Sequence, residues 1–503
     1  MKNEMLIGYL FMATMTMTSL TACSSSNDNT SPATPTYHWS TDGGLKACDN
    51  LLFDNNIIGN GDQEFVFNGN QILKKGTYML KGWVYIANGA TLTIEPGTVI
   101  KGDKTTKAAI IVERGGKLIA QGTANAPIVF TSAQSAGNRK PGDWGGIILC
   151  GKAHNNQTEM QIEGGPRTKH GGTDDSDNSG VLSYVRIEFA GYPFATDQEI
   201  NGLTLGSVGS GTQIDHVQVS YSNDDSFEWF GGTVNCKYLV AYRGWDDDFD
   251  TDNGFSGKVQ FGLAIRDPRI ADQSQSNGFE SDNCADGSAV SPYTTAVFSN
   301  ITFVGPIGQS SDFVNNSAYI NGGSVYPNNG SALGKFQAAM HIRRSSRLNC
   351  FNTVAIGFPI GIILDGEKGN TQTIVGKESQ LQNIWMADMT LLGSDANKVY
   401  QDNLYKYTTK TFDTTKNSFS HDFFIAQTGN AVKTASALLL TGKTGKTGAN
   451  YMPQSGSPLL TAASFSNSML TSWFSKVSYI GALNAGDTWT DGWTEFDPEN
   501  AAY

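Results

Sequence analysis

Short runs of alternating apolar and polar residues recur along most of this chain, separated by glycine-containing turns. Typical runs are Trp83–Ile86, Thr91–Ile94 and Ile128–Ser132. A period of two residues is typical of β-strands, whereas helices repeat their apolar positions every three or four residues. Strand-and-turn units that recur every roughly 20–30 residues are typical of solenoids. The pattern therefore predicts an all-β chain that winds into a parallel β-helix solenoid with N- and C-terminal caps.

The same pattern divides the chain into five expected parts. Residues 1–22 are expected to be a signal peptide. Residues 23–36 are expected to be a flexible tether, because they are rich in Ser, Asn, Thr and Pro. Residues 37–79 are expected to form an N-terminal cap and residues 80–400 the parallel β-helix. Residues 401–503 are expected to form irregular closing coils and an aromatic cap packed on the rod. Caps are needed because an open last coil exposes strand edges.

Three segments in the middle of the chain share a phenylalanine followed by an acidic residue: Phe227–Glu228, Phe249–Asp250 and Phe279–Glu280. Because side chains alternate along a strand, stacked phenylalanines inside the coil place the acidic residues outside it. Successive coils lie about 4.8 Å apart. Like charges on neighbouring strands are destabilising. The resulting acidic ladder must be relieved by a bound cation, by raised pKa values or by splaying into water.

A hard cation such as Ca²⁺ is the sharper hypothesis, because the available ligands are all oxygens. Asp248 and Asp252 are expected to share the outer face with Asp250, and Asp282 to share it with Glu280. The alternative is that these carboxylates end strands and make turn hydrogen bonds. The candidate metal ligands are Glu228, Asp248, Asp250, Asp252, Glu280 and Asp282.

Further residues beside the acidic segments are candidates for binding a ligand: Asp225, Arg243, Trp245, Asp247 and Arg266. Arg243 and Arg266 each end an apolar run near an acidic turn. They are expected either to flank the site or to pair with neighbouring carboxylates.

Charge and cysteine content narrow the function classes. The 503 residues carry a formal net charge of −12, which argues against nucleic-acid binding and suits a protein that gathers cations. Without Cys23, the cysteines are Cys48, Cys150, Cys236, Cys284 and Cys350. An odd number cannot all pair, and their spacing does not indicate a zinc site.

The N-terminal segment has the pattern of a targeting signal. Lys2 precedes the apolar run Met5–Leu20, which is too short for a comfortable transmembrane helix. Leu20–Cys23 resembles a bacterial lipobox, and this resemblance implies that Cys23 is lipidated. Ser24, rather than Asp, follows the cysteine, which resembles the sorting pattern for export to the outer membrane.

Three fold-forming phrases support a family resemblance: Gly89–Ile100, Gly116–Ser132 and Asp143–Leu149. They resemble phrases of right-handed parallel β-helix proteins in the pectin-lyase-like group. Nearly the full mature chain is most similar to Bacteroidetes-type outer-membrane lipoproteins with this fold, and Gly206–Thr212 belongs to the most specific part of that resemblance. The resemblance implies a fold and a lipid-anchored location on the periplasmic or extracellular face, and it implies no reaction.

Three function classes stay open at this point. The favoured hypothesis is a cell-surface lipoprotein that binds a glycan or another nutrient, with a TonB-dependent transporter as a candidate partner. The second is a polysaccharide lyase or glycoside hydrolase that acts on an acidic polysaccharide; its catalytic residues are unassigned because no catalytic motif is evident. The third is a structural spacer or adhesin whose acidic ladder binds Ca²⁺ for stability.

Three residues outside the acidic segments carry expectations of their own. His216 lies where the next coil has Tyr238, which favours a packing role. His341, beside two arginines, is expected either to bind an anion or to lie in an exposed turn. Asp395 begins a polar stretch and is expected at the surface.

Overall fold

The computed structural model describes residues 36–54, 56–157, 160–162, 166–195, 198–442 and 451–503. The expected signal peptide, Cys23 and nearly all of the expected tether lie outside the described residues. Within the described ranges, none of the helices has the length and hydrophobicity needed to cross a bilayer.

Short strands provide most of the regular structure. Those before residue 175 are β1 (Trp39–Asp42), β2 (Leu45–Cys48), β3 (Leu52–Phe53), β4 (Ile57–Ile58), β5 (Phe65–Phe67), β6 (Asn70–Leu73), β7 (Thr77–Leu80), β8 (Trp83–Ile86), β9 (Thr91–Ile94), β10 (Val99–Gly102), β11 (Ala109–Val112), β12 (Lys117–Gln121), β13 (Ile128–Ser132), β14 (Gly146–Cys150), β15 (Met160–Gln161) and β16 (Lys169–His170).

The second part of the chain continues the pattern with longer strands. They are β17 (Gly180–Glu188), β18 (Pro193–Ala195), β19 (Gln198–Glu199), β20 (Leu203–Gly206), β21 (Gln213–Ser220), β22 (Phe227–Phe230), β23 (Asn235–Tyr242), β24 (Phe249–Asp252), β25 (Lys258–Ile265), β26 (Phe279–Ser281), β27 (Val297–Val304), β28 (Ala338–Ile342), β29 (Asn349–Ile356), β30 (Ile360–Leu364), β31 (Leu381–Ala387), β32 (Leu391–Ser394), β33 (Leu404–Lys406), β34 (Thr411–Asp413) and β35 (Ala431–Lys433). The α-helices are α1 (Pro306–Gln309), α2 (Thr371–Ile374) and α3 (Phe419–Ala426), and 3₁₀ turns span Gly323–Val325, Ala435–Leu438 and Pro458–Thr461.

Two long sheets run the length of the described chain. Sheet A has 13 strands in the order β1-β2-β5-β8-β11-β14-β20-β22-β24-β26-β28-β30-β32. Sheet B has 16 strands, with the path β3-β4-β7-β10-β13-β17-β21-β23-β25-β27-β29-β31-β35 and the branch β6-β9-β12 joined to β17. Each turn of the chain adds a strand to both sheets, and neighbouring strands from successive coils pair in parallel. The prediction of an all-β parallel β-helix is confirmed.

The N-terminal boundary differs from the expected one. Strands β5 to β7 already pair in parallel with the strands of the next coil, so the β-helix begins before residue 80. Only the pairs β1–β2 and β3–β4 are antiparallel at this end of the described chain. They close the first coil because an antiparallel hairpin can pair a strand edge without a further coil.

Aromatic stacking fills the middle of the core. Phe227, Phe249 and Phe279 are fully buried, and their ring centroids lie 5.6 and 5.9 Å apart along the stack. Phe298 and Phe303 from sheet B meet Phe279 edge to face. Each fully buried side chain of this kind contributes about 1.5–3 kcal/mol, so the inward face of the repeated motif fixes the register of its coils.

A column of left-handed residues bends the longer strands of sheet B. Strand β23 pairs with β21 on both sides of Tyr238, and His216 and Tyr238 both have φ between 50° and 60°. A positive φ interrupts the alternation of faces and turns the strand, while stacked rings cover the bend. His216 stacks between Tyr184 and Tyr238 at 4.2 and 4.5 Å, so its expected packing role is confirmed. The column comprises Tyr184, His216, Tyr238, Phe261, Asn300, Asn352 and Asn383.

The C-terminal strap, residues 457–503, lies along this bend. Its residue Ser464 bonds Asn352, whereas Glu495 bonds Gln218, many coils nearer the N-terminal end. Tyr503 bonds Lys101 still farther along the rod. The aromatic tail therefore covers a flank of the β-helix, because the column on sheet B offers it both amide partners and ring surfaces.

The end of the rod is closed by the chain before the strap. Helix α3 packs Phe424 into the core beneath β30 and β32. Asp395 is fully buried and accepts the backbone N–H groups of Phe419 and Ser420 at 2.9 and 3.0 Å. The expectation that Asp395 lies at the surface is wrong, because its carboxylate satisfies donors at the N-terminus of this helix.

Candidate cation-binding site on sheet A

The acidic ladder forms in the expected register. Glu228 on β22 lies opposite Asp250 on β24, which in turn lies opposite Glu280 on β26. Thr204 precedes this row on β20, and His341 follows it on β28. Because the intervening phenylalanines point into the core, the carboxylates share the outer face of sheet A. The prediction that these three acidic residues stack on neighbouring coils is confirmed.

Carboxylates from the preceding turns converge on the ladder. Oxygen atoms lie within 4.8 Å of one another in three groups: Asp224, Asp225 and Asp246; Asp225, Glu228 and Asp250; Asp247, Asp250 and Glu280. These seven residues are called the acidic cluster below. Asp225 belongs to the first two groups and Asp250 to the last two, so the cluster is continuous across three coils.

The turn carboxylates also have structural roles. Asp225 Oδ1 accepts the backbone N–H of Asp247 at 2.8 Å, and Asp247 Oδ1 accepts the N–H of Asn277. The amide of Asn277 in turn accepts the N–H of Ala338 at 3.0 Å. Equivalent turns in successive coils are thus tied by side chains, as the alternative turn hypothesis proposed. Each of these two aspartates keeps a second carboxylate oxygen for the cluster.

Two insertions flank the ladder strands. The first insertion, residues 151–179, bonds the turns that follow these strands; Asn156 N–H donates to Asn253 O at 3.0 Å. The second insertion, residues 305–337, packs against the turns that precede them. Its Ser331 accepts a bond from Asn223 at 2.7 Å, and its Tyr326 ring lies 6.0 Å from that of Trp245. The acidic cluster therefore lies on a strip of sheet A with an insertion along each side.

Burial and mutual repulsion raise the pKa values of several aspartates in and beside the acidic cluster. Burial first, and the neighbouring carboxylates second, raise the pKa values of Asp225, Asp247 and Asp250 well above their usual range. The same causes raise the pKa values of Asp246 and Asp252 to about 8. A proton or a bound cation must therefore offset the charge near neutral pH.

The last rung of the ladder behaves differently. Burial favours the protonated form of Glu280, but Arg343 and His341 outweigh it and lower the pKa of Glu280 to about 2. The Arg343 guanidinium bonds Glu280 and also Asp282, the latter at 2.8 Å, while Arg344 bonds Asp282 at 2.7 Å. Basic side chains thus neutralise this end of the ladder, whereas the pKa of Asp250 on the neighbouring rung stays raised.

His341 is part of this basic end. It is fully buried on β28, with Nδ1 at 3.3 Å from Glu280 and Nε2 at 3.6 Å from Asp365. The expectation of an exposed turn is wrong, because the strand alternation places this ring at the next rung of the ladder. Both ring nitrogens lie beside carboxylates of the protein itself. His341 therefore stabilises these two acidic side chains instead of binding a separate anion.

Several candidate metal ligands are drawn away from the cluster. Asp248 pairs with Arg266 at 3.0 Å, and both side chains are fully buried. Asp252 lies one outward position beyond Asp250 on β24, opposite Phe230 on the neighbouring strand. Asp282 is held by two arginines. The alternation of faces along the strands did not distinguish these residues from the cluster members, because the basic partners come from other parts of the chain.

The remaining candidates for ligand binding fall into two groups. Asp225 and Asp247 are members of the acidic cluster. Arg243 bonds Tyr221 at 2.7 Å and lies 3.3 Å from Asp267, and Trp245 is fully buried. Arg243 and Arg266 thus take the pairing role that was one of their two expected alternatives.

Some residues in and beside the acidic cluster were missed by the sequence-based prediction. Asp224 and Asp246 occupy matching positions one coil apart, so aligning the two turns was enough to find both. Asn201 and Thr204 come from the preceding coil, which lacks the phenylalanine–acid motif. The Asn201 amide bonds Glu228 directly.

The oxygen atoms around the ladder fit a hard cation. Asn201 Oδ1, Thr204 Oγ1 and Asp250 Oδ1 are buried atoms without a hydrogen-bond partner among the described residues. A buried acceptor without a donor is destabilising unless an ion or water occupies the space beside it. Ca²⁺ takes six to eight oxygen ligands from carboxylates, carbonyls and hydroxylic groups. The residues that would hold it are Asp225, Glu228, Asp247 and Asp250, with Asn201 and Thr204 beside them.

A comparison with protein families agrees with the fold. Residues 66–437 match the family described as the pectate-lyase like beta helix domain. No curated protein matches the chain. Among solved structures, the crystal structure of the Dettilon tailspike protein (gp208) is similar over 66% of this chain and 61% of that chain, with 12% identity and a TM-score of 0.24. Since the family match covers most of the sequence, the chain belongs to the family of pectate-lyase-like β-helix domains.

Proposed function

We propose that this protein binds a divalent cation, Ca²⁺ foremost, at the acidic cluster and uses the ion to bind an acidic glycan. The observation that carries the proposal is the pair of oxygen groups that share Asp250, each with its atoms within 4.8 Å of one another. One ion at this point contacts carboxylates from two neighbouring coils and offsets their mutual repulsion.

The ligand chemistry favours Ca²⁺ over other metals. The cluster offers only oxygens, whereas Zn²⁺ sites are built from Cys and His as well. The imidazole beside the ladder, His341, already lies between Glu280 and Asp365. Mg²⁺ requires a near-octahedral shell at about 2.1 Å, while Ca²⁺ accepts irregular shells at about 2.3–2.6 Å. Carboxylates on rungs about 4.8 Å apart suit the larger, more adaptable ion.

An acidic glycan is the ligand class that fits such an ion. Asp250 and Glu228 are only partly buried, so an ion between them keeps a side toward solvent. A uronate carboxylate and sugar hydroxyls are oxygen ligands that can complete its shell. The lipobox at Leu20–Cys23 supports a lipid-anchored protein at the outer membrane, where such glycans are met, with a TonB-dependent transporter as the partner.

A calcium titration tests the metal site. Chelator-treated protein is titrated with CaCl₂ in a calorimeter, and saturable heat is expected. Asp250→Asn removes the carboxylate shared by two oxygen groups and is expected to weaken binding by at least about tenfold, or about 1.4 kcal/mol. Asp491→Asn, at an exposed position on the strap, is the control and is expected to bind like the wild type. Absence of saturable heat in the wild-type protein contradicts the proposal.

A second candidate function, glycoside hydrolysis or polysaccharide cleavage, is favoured by one feature. Asp250 and Glu280 are neighbours on the ladder, yet the pKa of Asp250 is raised and that of Glu280 is lowered. Carboxyl pairs with opposite shifts are the arrangement that general acid and base catalysis requires. This pair therefore carries the catalytic alternative.

Incubation with acidic and neutral polysaccharides separates the function classes. Calcium-dependent retention of an acidic polysaccharide without cleavage is expected for the binding function. New reducing ends or unsaturated, ultraviolet-absorbing products indicate catalysis instead. Calcium binding without retention or cleavage of any glycan leaves a structural spacer whose ion serves stability.

A further inference from the structure

A polar cavity lies where the C-terminal strap passes sheet B, and it is separate from the acidic cluster. Its volume is about 310 Å³, close to the lower end of the range for small-molecule sites. It opens beside the first halves of strands β21 and β23. The residues that matter for its chemistry are Thr212, Gln213, Asp215, Asn235, Lys237 and Trp473.

The carboxylate of the cavity is already satisfied. Asp215 accepts bonds from Ser183 at 2.7 Å, from Gln213 at 2.8 Å and from His216 at 2.8 Å. Burial opposes ionisation of Asp215, but these bonds outweigh it and lower its pKa. Asp215 therefore stays ionised without help from the lysine that lies opposite it on β23.

The lysine of the cavity lacks an acidic partner. Lys237 is half-buried, and its Nζ donates to Ser475 Oγ at 3.0 Å and lies 4.6 Å above the Trp473 ring. No carboxylate of the described residues comes within 4.0 Å of this Nζ, although Asp215 is its register partner. A partly desolvated ammonium group beside a cavity and an aromatic ring is a site for an anionic ligand.

The rest of the lining is suited to hydroxyl groups. The Asn235 carbonyl oxygen accepts the backbone N–H of Lys258 at 3.1 Å, which leaves its amide N–H₂ group for a ligand. Thr212 Oγ1 accepts the backbone N–H of Ser179 at 2.8 Å, and Gln213 donates its amide N–H to Asp215 and keeps its carbonyl oxygen for a ligand. Trp473 is half-buried and presents apolar ring surface to the same space. Polar groups around a cation and an aromatic ring match the surface of a sugar, which has hydroxyl edges and apolar C–H faces.

We propose that this cavity binds a carboxylated sugar without a metal ion, with the carboxylate on Lys237. The sugar hydroxyls meet Asn235 and Gln213, and its C–H face packs against Trp473. The site shares no residue with the acidic cluster, so it does not depend on the cation proposed there. It gives the protein a second contact for an acidic glycan on a different face of the rod.

Binding in the presence of EDTA tests the proposal. The probes are a glucuronic acid oligosaccharide and a neutral glucose oligosaccharide of the same length, titrated into the full protein and followed by calorimetry or ligand-observed NMR. Saturable binding of the acidic probe is expected. Lys237→Gln is expected to weaken that binding by at least about tenfold and to leave the weaker binding of the neutral probe unchanged.

Matched variants make the test decisive. Lys476→Gln changes an exposed lysine of the same strap and is expected to retain wild-type affinity. Because every affinity is measured in EDTA, which removes Ca²⁺, the test distinguishes this cavity from the cation site. Trp473→Ala removes the aromatic ring and is expected to lose binding of both probes. Trp473→Phe keeps an aromatic ring and is expected to retain that binding. Absence of saturable binding in EDTA, or wild-type affinity in Lys237→Gln, overturns the proposal.

Discussion

Two columns of polar side chains run along this β-helix, one on each long sheet. On sheet A, the ladder of Glu228, Asp250 and Glu280 faces outward in register. On the bend of sheet B, an amide column faces the C-terminal strap and bonds its backbone: Gln218, Gln260, Asn300, Asn352 and Asn383. Both columns arise because coils repeat a side-chain type at equivalent places, yet their partners differ.

The difference follows from the hydrogen-bond donors and acceptors that each type of side chain carries. An amide both donates and accepts, so Gln260 pairs with the N–H and the C=O of Ser475, each at 2.8 Å. An ionised carboxylate only accepts, and stacked carboxylates repel one another. The chain supplies cations at one end of the ladder, where Arg343 bonds Glu280. A column of neutral amides can therefore satisfy its hydrogen bonds with the polypeptide backbone. A column of carboxylates needs protons or cations to offset its charge.

The largest expected change in stability comes from a substitution in the C-terminal strap. Trp493 belongs to the strap and is fully buried, with its ring edge to face against Tyr184 and His216 on sheet B. Trp493→Ala is expected to lower the free energy of unfolding by about 3–5 kcal/mol. Urea denaturation measures the change. Trp39→Ala is the control, since that ring is 49% exposed and its loss is expected to cost much less. Equal losses for the two variants contradict the structural role of the strap.

The amide column is tested by removing one member's polar group. Gln260→Leu replaces the amide with apolar methyl groups and leaves both backbone groups of Ser475 without their side-chain partner. We expect the free energy of unfolding to fall by about 1–3 kcal/mol, measured by the same urea denaturation. Gln121→Leu, at an exposed position on β12, is the matched control. A neutral result for Gln260→Leu shows that the strap is held by its rings alone.

The charged column predicts an unusual dependence of stability on pH. The native pKa values of Asp246 and Asp252 are about 8, against an ordinary value of 3.8. Between these limits the folded protein binds more protons than the unfolded chain, so its stability falls as the pH rises. In EDTA, the melting temperature is expected to be lower at pH 8 than at pH 5. Added Ca²⁺ is expected to restore it at pH 8, because the ion replaces the lost protons.

A higher melting temperature at pH 8 than at pH 5 in EDTA contradicts this account. Asp250→Asn sharpens it further. This variant removes one repelling charge and is expected to reduce both the loss of stability at pH 8 and the stabilisation by Ca²⁺.

The smallest expected effect concerns the neutralised end of the ladder. Asp282 bonds Arg343 and Arg344 and lies outside the close oxygen groups of the cluster. Asp282→Asn is therefore expected to change the Ca²⁺ affinity by less than about twofold, or about 0.4 kcal/mol, as measured by calorimetry. A loss as large as that of Asp250→Asn extends the metal site to this end and removes the distinction between the two halves of the ladder.

The ladder was predictable because its determinants are local. Each acidic residue follows a core phenylalanine, and a period of two residues fixes which face each occupies. Once Phe227, Phe249 and Phe279 are placed inside, the register of Glu228 with Asp250 follows from the strand geometry. The coil repeat and its parallel pairing were predictable for the same reason.

The sequence by itself determined the β-helix, the inward aromatic stack and the outward row of acids, since short-range alternation encodes all three. Only the tertiary structure decided that Arg266 removes Asp248 from the row, that Arg343 and His341 neutralise its last rung, and that the strap covers the amide column. These contacts join residues far apart in the chain, such as Gln218 and Glu495 at a separation of 277 residues. Periodicity carries no record of such pairings, because they depend on how coils, insertions and the tail meet in space.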